Sequence, residues 1–132
     1  MKLYLDASAI VKLVQKEAES AALRRYLRRH RADLRVTSAL SRVEVVRAVL
    51  PGGSTAVGHA QRQLGRLHQI ALGLNLLDDA ATIAPEALLR SLDAVHVVSA
   101  QLLGDDLRAL ITYDQRMSDT AALLGLPTAA PS

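Results

Sequence analysis

Four acidic side chains in this 132-residue chain stand apart from the other nine by their neighbours. Asp6 closes the apolar run LYLD, and Asp114 closes ALITYD; both runs read as buried strands. Glu44 in RVEVVRAVL and Asp93 in LDAVHVVSA are lone acids inside apolar runs that read as helices. Each has an ordinary structural reading. Asp6 and Asp114 are placed to cap the helices that follow them. Glu44 can pair with Arg47 one turn on. Asp93 falls in a first helical turn after Ser91, where negative charge suits the helix dipole. Together the four suggest other chemistry. Carboxylates gathered at one sheet edge repel, and without a counter-charge some take up protons. A hard divalent cation removes that conflict, because Mg²⁺ and Mn²⁺ prefer carboxylate oxygen and water to imidazole or thiolate. Such a cation can activate water against a phosphodiester and stabilise the leaving oxygen.

The elements that must position these acids alternate along the chain. Residues 2–6 read as a strand, 7–15 as a short helix, and 17–31 as a helix with Leu23, Tyr26, Leu27 and His30 on one face. LRVTS at 34–38 reads as a second strand. The helix at 41–50 stops at Pro51-Gly52-Gly53. Val57, Ala60, Leu64, Leu67 and Ala71 predict a long amphipathic helix over 55–72. LNLLD at 74–78 is expected to be the third strand, 93–103 an apolar helix, and 109–114 the fourth strand. A last helix runs to about Leu124, and LPTAA can add an edge strand. The strands are continuous apolar runs, so both faces are covered. The expectation is an α/β fold with a mostly parallel sheet of four to five strands between helices. No repeat or linker divides it, and one domain over 1–132 is expected. In such sheets, sites form beyond the carboxyl ends of the strands, where strand order reverses.

Composition narrows the chemistry. The absence of cysteine excludes a thiolate metal site, a disulfide framework and a cysteine nucleophile. No apolar run reaches the ~18–20 residues of a membrane span, and no leader pattern is visible, so a soluble cytoplasmic protein is expected. Net charge is +3, and thirteen of the sixteen basic residues are arginine, whose fork suits phosphate. Tyr4, Tyr26 and Tyr113 are the only aromatic residues, too few for a base-stacking platform. No glycine-rich phosphate loop occurs. Arg24, Arg25, Arg28, Arg29 and Arg31 could follow an RNA backbone or form a solvated helix face.

The strings LYLDASAIVKL at 3–13, TSALSRVEVVRA at 37–48, LRSLDAVHVVSAQLL at 89–103 and LITYDQRMSDTAALLGL at 110–126 resemble the PIN-domain family, and closely its VapC-type ribonuclease toxins. The resemblance spans nearly the whole chain. It implies a three-layer PIN-like fold and a Mg²⁺- or Mn²⁺-dependent endoribonuclease, the toxin of a bacterial toxin–antitoxin pair. By it, Asp6, Glu44, Asp93 and Asp114 form the catalytic, metal-binding quartet. Ser8 and Thr112 match hydroxyl positions that would hold a carboxylate or a water beside the ion. Arg42, Arg47 or Arg116 could grip flanking phosphates. Asp119 reads as an exposed helix residue, and His96 as a core or rim histidine with a local partner. The implied partners are an RNA substrate, a VapB-type antitoxin offering a basic side chain to the acids, and a second copy in a homodimer. The 57/60/64/67/71 seam and the helix at 41–50 are candidate contact faces, with packing inside the fold as the alternative. A PIN-like RNA-binding module without turnover, or a stand-alone nuclease for RNA or DNA, remains open.

Overall fold

The structure is a computed structural model that describes all 132 residues. Five parallel strands form one sheet: β1 (Lys2–Leu5), β2 (Leu34–Ser38), β3 (His68–Ile70), β4 (Leu107–Ile111) and β5 (Thr128–Ala129). Their order is β3-β2-β1-β4-β5. The chain builds outward from β1 on one side, then returns to its other side through β4. Strand order therefore reverses between β1 and β4, and a crevice opens at their carboxyl ends. The pairings Tyr4↔Leu110 and Leu5↔Ile111 bring both ends to the same level.

Alternation along β1 sorts the core. Leu3 and Leu5 face α1 (Ala7–Val14), α2 (Ser20–Arg29), α3 (Ser41–Val49) and α4 (Gly53–Gly65), packing with Ile10, Leu23, Val45 and Leu64. Tyr4 points to the other face and packs with Val97 and Ala100 of α6 (Ser91–Gln101) and Met117 and Ala121 of α7 (Gln115–Leu123). Both faces are covered, as a parallel sheet requires. α7 ends at Gly125, whose φ of 75° lets the Leu126 amide reach the Ala121 carbonyl. No helix is long and apolar enough to cross a membrane.

Several elements differ from the sequence expectation. The third strand is not LNLLD but His68–Ile70, paired with Val36–Ser38 of β2. The helix expected to run to residue 72 therefore ends at Gly65. LNLLDDAAT instead forms α5 (Leu74–Thr82), burying Leu76 and Ala80 one turn apart while Leu74 faces solvent. A short apolar run has no period of its own to separate strand from helix. The 57/60/64/67/71 seam is accordingly broken. Ala60 and Leu64 pack inward, and Ala71 lies exposed beyond β3. The helix at 41–50 likewise spends Val45 and Val49 on the core, against α1 and α4. α2 begins at Ser20 rather than Glu17; Glu17 and Glu19 pair with Lys12 in the last turn of α1. Ser91 is the first residue of α6 and makes no side-chain cap.

Candidate active site

Asp6 is the first residue past β1, and its extended backbone makes it the N-cap of α1. Its Oδ1 accepts from the Ala9 amide at 3.0 Å and from Ser8 Oγ at 2.6 Å. Its Oδ2 accepts from Thr112 Oγ1 at 2.5 Å. The capping reading is thus correct for Asp6, and the cap also faces the crevice. Only 2% of Asp6 is exposed. Burial pushes its carboxyl above the ordinary carboxylate range, and the three hydrogen-bond donors offset part of that rise.

Ser8 and Thr112 stitch the two strand ends together. Ser8 Oγ accepts from the Tyr113 amide at 3.0 Å, and Thr112 Oγ1 accepts from the Asp114 amide at 3.1 Å. Each hydroxyl thus passes one hydrogen bond from the end of β4 to Asp6. Asp114 caps α7, its Oδ1 accepting from the amides of Arg116 at 2.9 Å and Met117 at 3.3 Å. Its other oxygen faces Arg90, whose Nη2 lies 3.0 Å away. The same guanidinium donates from Nε to Asp93 Oδ2 at 3.0 Å. Asp93, in the first turn of α6, and Asp114 are therefore joined by one arginine fork. The two carboxylates raise the Arg90 pKa, Asp93 foremost.

Glu44 does not pair with Arg47. Its Oε1 lies 2.6 Å from His96 Nε2, while His96 Nδ1 lies 2.7 Å from the Tyr4 hydroxyl. One assignment satisfies all three groups: Tyr4 donates to Nδ1, and Nε2–H donates to the carboxylate. His96 is buried, as its sequence position suggested, but its partners are distant in sequence rather than local, and it ties α3 to α6 around the end of β1. Thr37 supports the same edge, donating to the Leu5 carbonyl at 2.6 Å while Ser41 Oγ sits 2.7 Å from it. Asp119 is exposed and accepts from Gln115 at 2.7 Å. Arg42 reaches only Gln69, at 3.4 Å, and Arg42, Arg47 and Arg116 make no ion pair.

The four predicted acids thus reach one sheet edge, but they do not close on a common point. No three acidic or imidazole groups lie close enough to surround one ion as the side chains stand. Arg90 lies between two of them. Sequence reasoning missed Arg90, although its spacing of three residues before Asp93 was a usable signal. It also missed Tyr4, Thr37 and Ser41, whose partners lie on other elements.

The model of the PIN domain family matches residues 3–123. The chain is 49% identical over 130 residues to Ribonuclease VapC46 of Mycobacterium tuberculosis, spanning 98% of each protein. The chain is a VapC-type member of the PIN-domain family. Its VapC kinship extends to Ribonuclease VapC35 of the same species, 42% identical over 135 residues, with 98% of this chain and 96% of the relative covered. The crystal structure of M. tuberculosis VapC20, described as a sarcin-ricin loop cleaving toxin, superposes with a TM-score of 0.76. That match covers 98% of this chain and 99% of the other at 18% identity, a likeness of fold. The PIN strand order places the carboxyl ends of β1 and β4 side by side, and the acids lie there.

Proposed function

We propose that this VapC-type chain is a divalent-metal-dependent endoribonuclease, the toxin of a type II toxin–antitoxin pair. The observation that carries the reading is the link Asp6–Thr112–Asp114–Arg90–Asp93 at the switch point of the sheet. It occurs in a chain 49% identical, over 98% of its length, to a protein named a ribonuclease.

The donor set suits Mg²⁺ or Mn²⁺. It offers carboxylate and hydroxyl oxygen, while both nitrogens of His96 are already engaged. Mg²⁺ keeps several waters and takes one or two carboxylates directly, so a closed cage of three is not required. Asp6 is a buried acid with no cation beside it, the group that gains most from one. Asp6, Asp93 and Asp114 would hold the ion directly or through water, and Glu44 a second ion or the attacking water. When bound, the ion supplies an activated water and charge stabilisation at the scissile phosphate.

The chain's own residues have separable tasks. Ser8 and Thr112 fix the Asp6 carboxylate by hydrogen bonds to both oxygens. The Arg116 and Met117 amides fix Asp114. His96 holds Glu44 in one rotamer, and Tyr4 holds His96. Arg90 neutralises Asp93 and Asp114 when no other cation does so, and is free to turn toward an RNA phosphate when one does. Arg42, Arg47 and Arg116, unpaired and near the acids in sequence, suit flanking phosphates. A VapB-type antitoxin inserting a basic side chain would compensate the same acids as Arg90. A homodimer is the expected assembly.

The test is cleavage of a mixed structured RNA pool by purified protein in Mg²⁺ or Mn²⁺, against chelator, with Asp93→Asn alongside. Metal-dependent cuts absent from the variant are expected. Cuts that persist in chelator would overturn the metal reading. Retained RNA binding without cuts would favour a binding module.

A further inference from the structure

The amino end of the sheet, opposite the acids, carries a concentration of arginine that the site above does not use. α2 and the turn after it contribute Arg24, Arg25, Arg28, Arg29 and Arg31. β2 contributes Arg35, and α4 with its C-terminal turn adds Arg62 and Arg66. These are eight of the chain's sixteen basic residues. None pairs with any of the thirteen acids. The carboxylates nearest in sequence are taken elsewhere: Glu17 and Glu19 by Lys12, and Asp33 by Arg108.

The eight are not a scatter along one helix. Arg24, Arg28, Arg35 and Arg66, from three elements, line one concavity of about 160 Å³ floored by Leu13 and Leu27. Arg28 also lines a neighbouring hollow of about 700 Å³ with Arg25, Arg29 and Arg31. Arg66 lines a third of about 490 Å³ with Arg62 and His59. Shared walls make the three one continuous surface. Its centre is Arg35, a strand residue paired with Leu3 and half-covered by its neighbours. Burial lowers the Arg35 pKa, and the charge of Arg66 lowers it further. Like charges held together against burial, with no acid supplied by the fold, lack a counter-ion that an external anion would provide. Guanidinium forks at several orientations suit phosphate oxygens along a backbone. The scarcity of aromatics leaves no means of gripping bases, so the contact is with phosphate and indifferent to sequence.

We propose that this α2–β2–α4 arginine surface is a second RNA-backbone site, remote from the acids, that retains long substrates. The proposal rests on RNA being the substrate and adds where its flanking strand lies. Leu3 and Arg35 share a register, three residues before Asp6, so the surface lies about 10 Å back along the strand direction.

The experiment measures fluorescence anisotropy of labelled polyuridylate, in chelator, over a range of salt. It compares the parent with Arg28→Gln/Arg35→Gln/Arg66→Gln, and with Arg28→Gln and Arg66→Gln singly should the triple variant fold poorly. Losing three phosphate contacts should lower the slope of log K against log [salt] by ~2, at ~0.7 per contact for a single strand. Polyuridylate should lose affinity in the variants. Because no cleavage is read, failure of the nuclease reading would not disturb this result. Unchanged affinity and slope for long RNA would overturn the proposal. So would polyglutamate displacing the RNA as well as unlabelled polyuridylate does, which would point to an acidic polypeptide.

Discussion

Arg90 stands between Asp93 and Asp114, 3.0 Å from an oxygen of each, although Asp114 is 24 residues further along the chain. The fork joins the first turn of α6 to the cap of α7 across the mouth of the sheet. It does by protein charge what a divalent cation would do at the same acids, so on the proposed metal reading the two would compete.

Arg90→Ala is therefore expected to bind Mn²⁺ severalfold more tightly in calorimetry. Asp93 is buried although Arg90 is not, so the variant should melt below the parent in chelator and recover when Mn²⁺ is added. Weaker Mn²⁺ binding in the variant would show that Arg90 organises the acids rather than competing for them.

Thr112→Val keeps the shape of residue 112 and deletes the hydroxyl that serves both Asp6 and the Asp114 amide. Groups that orient metal ligands are typically worth ~10–100-fold in metal affinity or activity. A loss of that size in RNA cleavage is expected, partly restored by raising Mn²⁺. Unchanged cleavage would remove Thr112 from the positioning scheme.

Two aspartates should respond to pH with opposite signs. Burial raises the Asp6 pKa. The native state then holds that proton more tightly than the unfolded chain, and stability falls as pH rises through the raised value. Arg108 lowers the Asp33 pKa. The Asp33 contribution is present above its unfolded value and disappears as pH falls through the folded one. In chelator, Asp6→Asn should melt above the parent, with a gap widening from about pH 4 toward neutrality. Asp33→Asn should melt below the parent, with a gap closing on acidification below about pH 4. Thermal denaturation across pH checks both.

Tyr4→Phe removes the donor to His96 Nδ1 in a fully buried setting. An orphaned buried acceptor costs about 1–3 kcal/mol. Urea unfolding should report a loss of that order, with cleavage reduced insofar as His96 ceases to hold Glu44. A variant as stable as the parent would mean that His96 finds another partner.

What the sequence determined by itself was local. Asp6 was legible because a strand that ends on an aspartate before a helix carries both its period and its cap in a few adjacent residues; Asp114 was legible as a helix cap, although β4 spans Leu107–Ile111 rather than 109–114 and stops three residues before it. β1, β2, β4 and α6 followed from continuous apolar runs. The run LNLLD carried no such period, and only the pairing of His68–Ile70 with β2 decided which segment completes the sheet. Glu44 meets His96 across 52 residues, and Arg90 meets Asp114 across 24. Arg35 gains Arg28 and Arg66 as neighbours only when α2 and α4 lie over the same end of the sheet. Such contacts depend on strand order and register, which are set by how whole elements bury their apolar faces together. A local pattern fixes an element where its period is clear; tertiary packing fixes the ambiguous ones and which polar groups meet across elements.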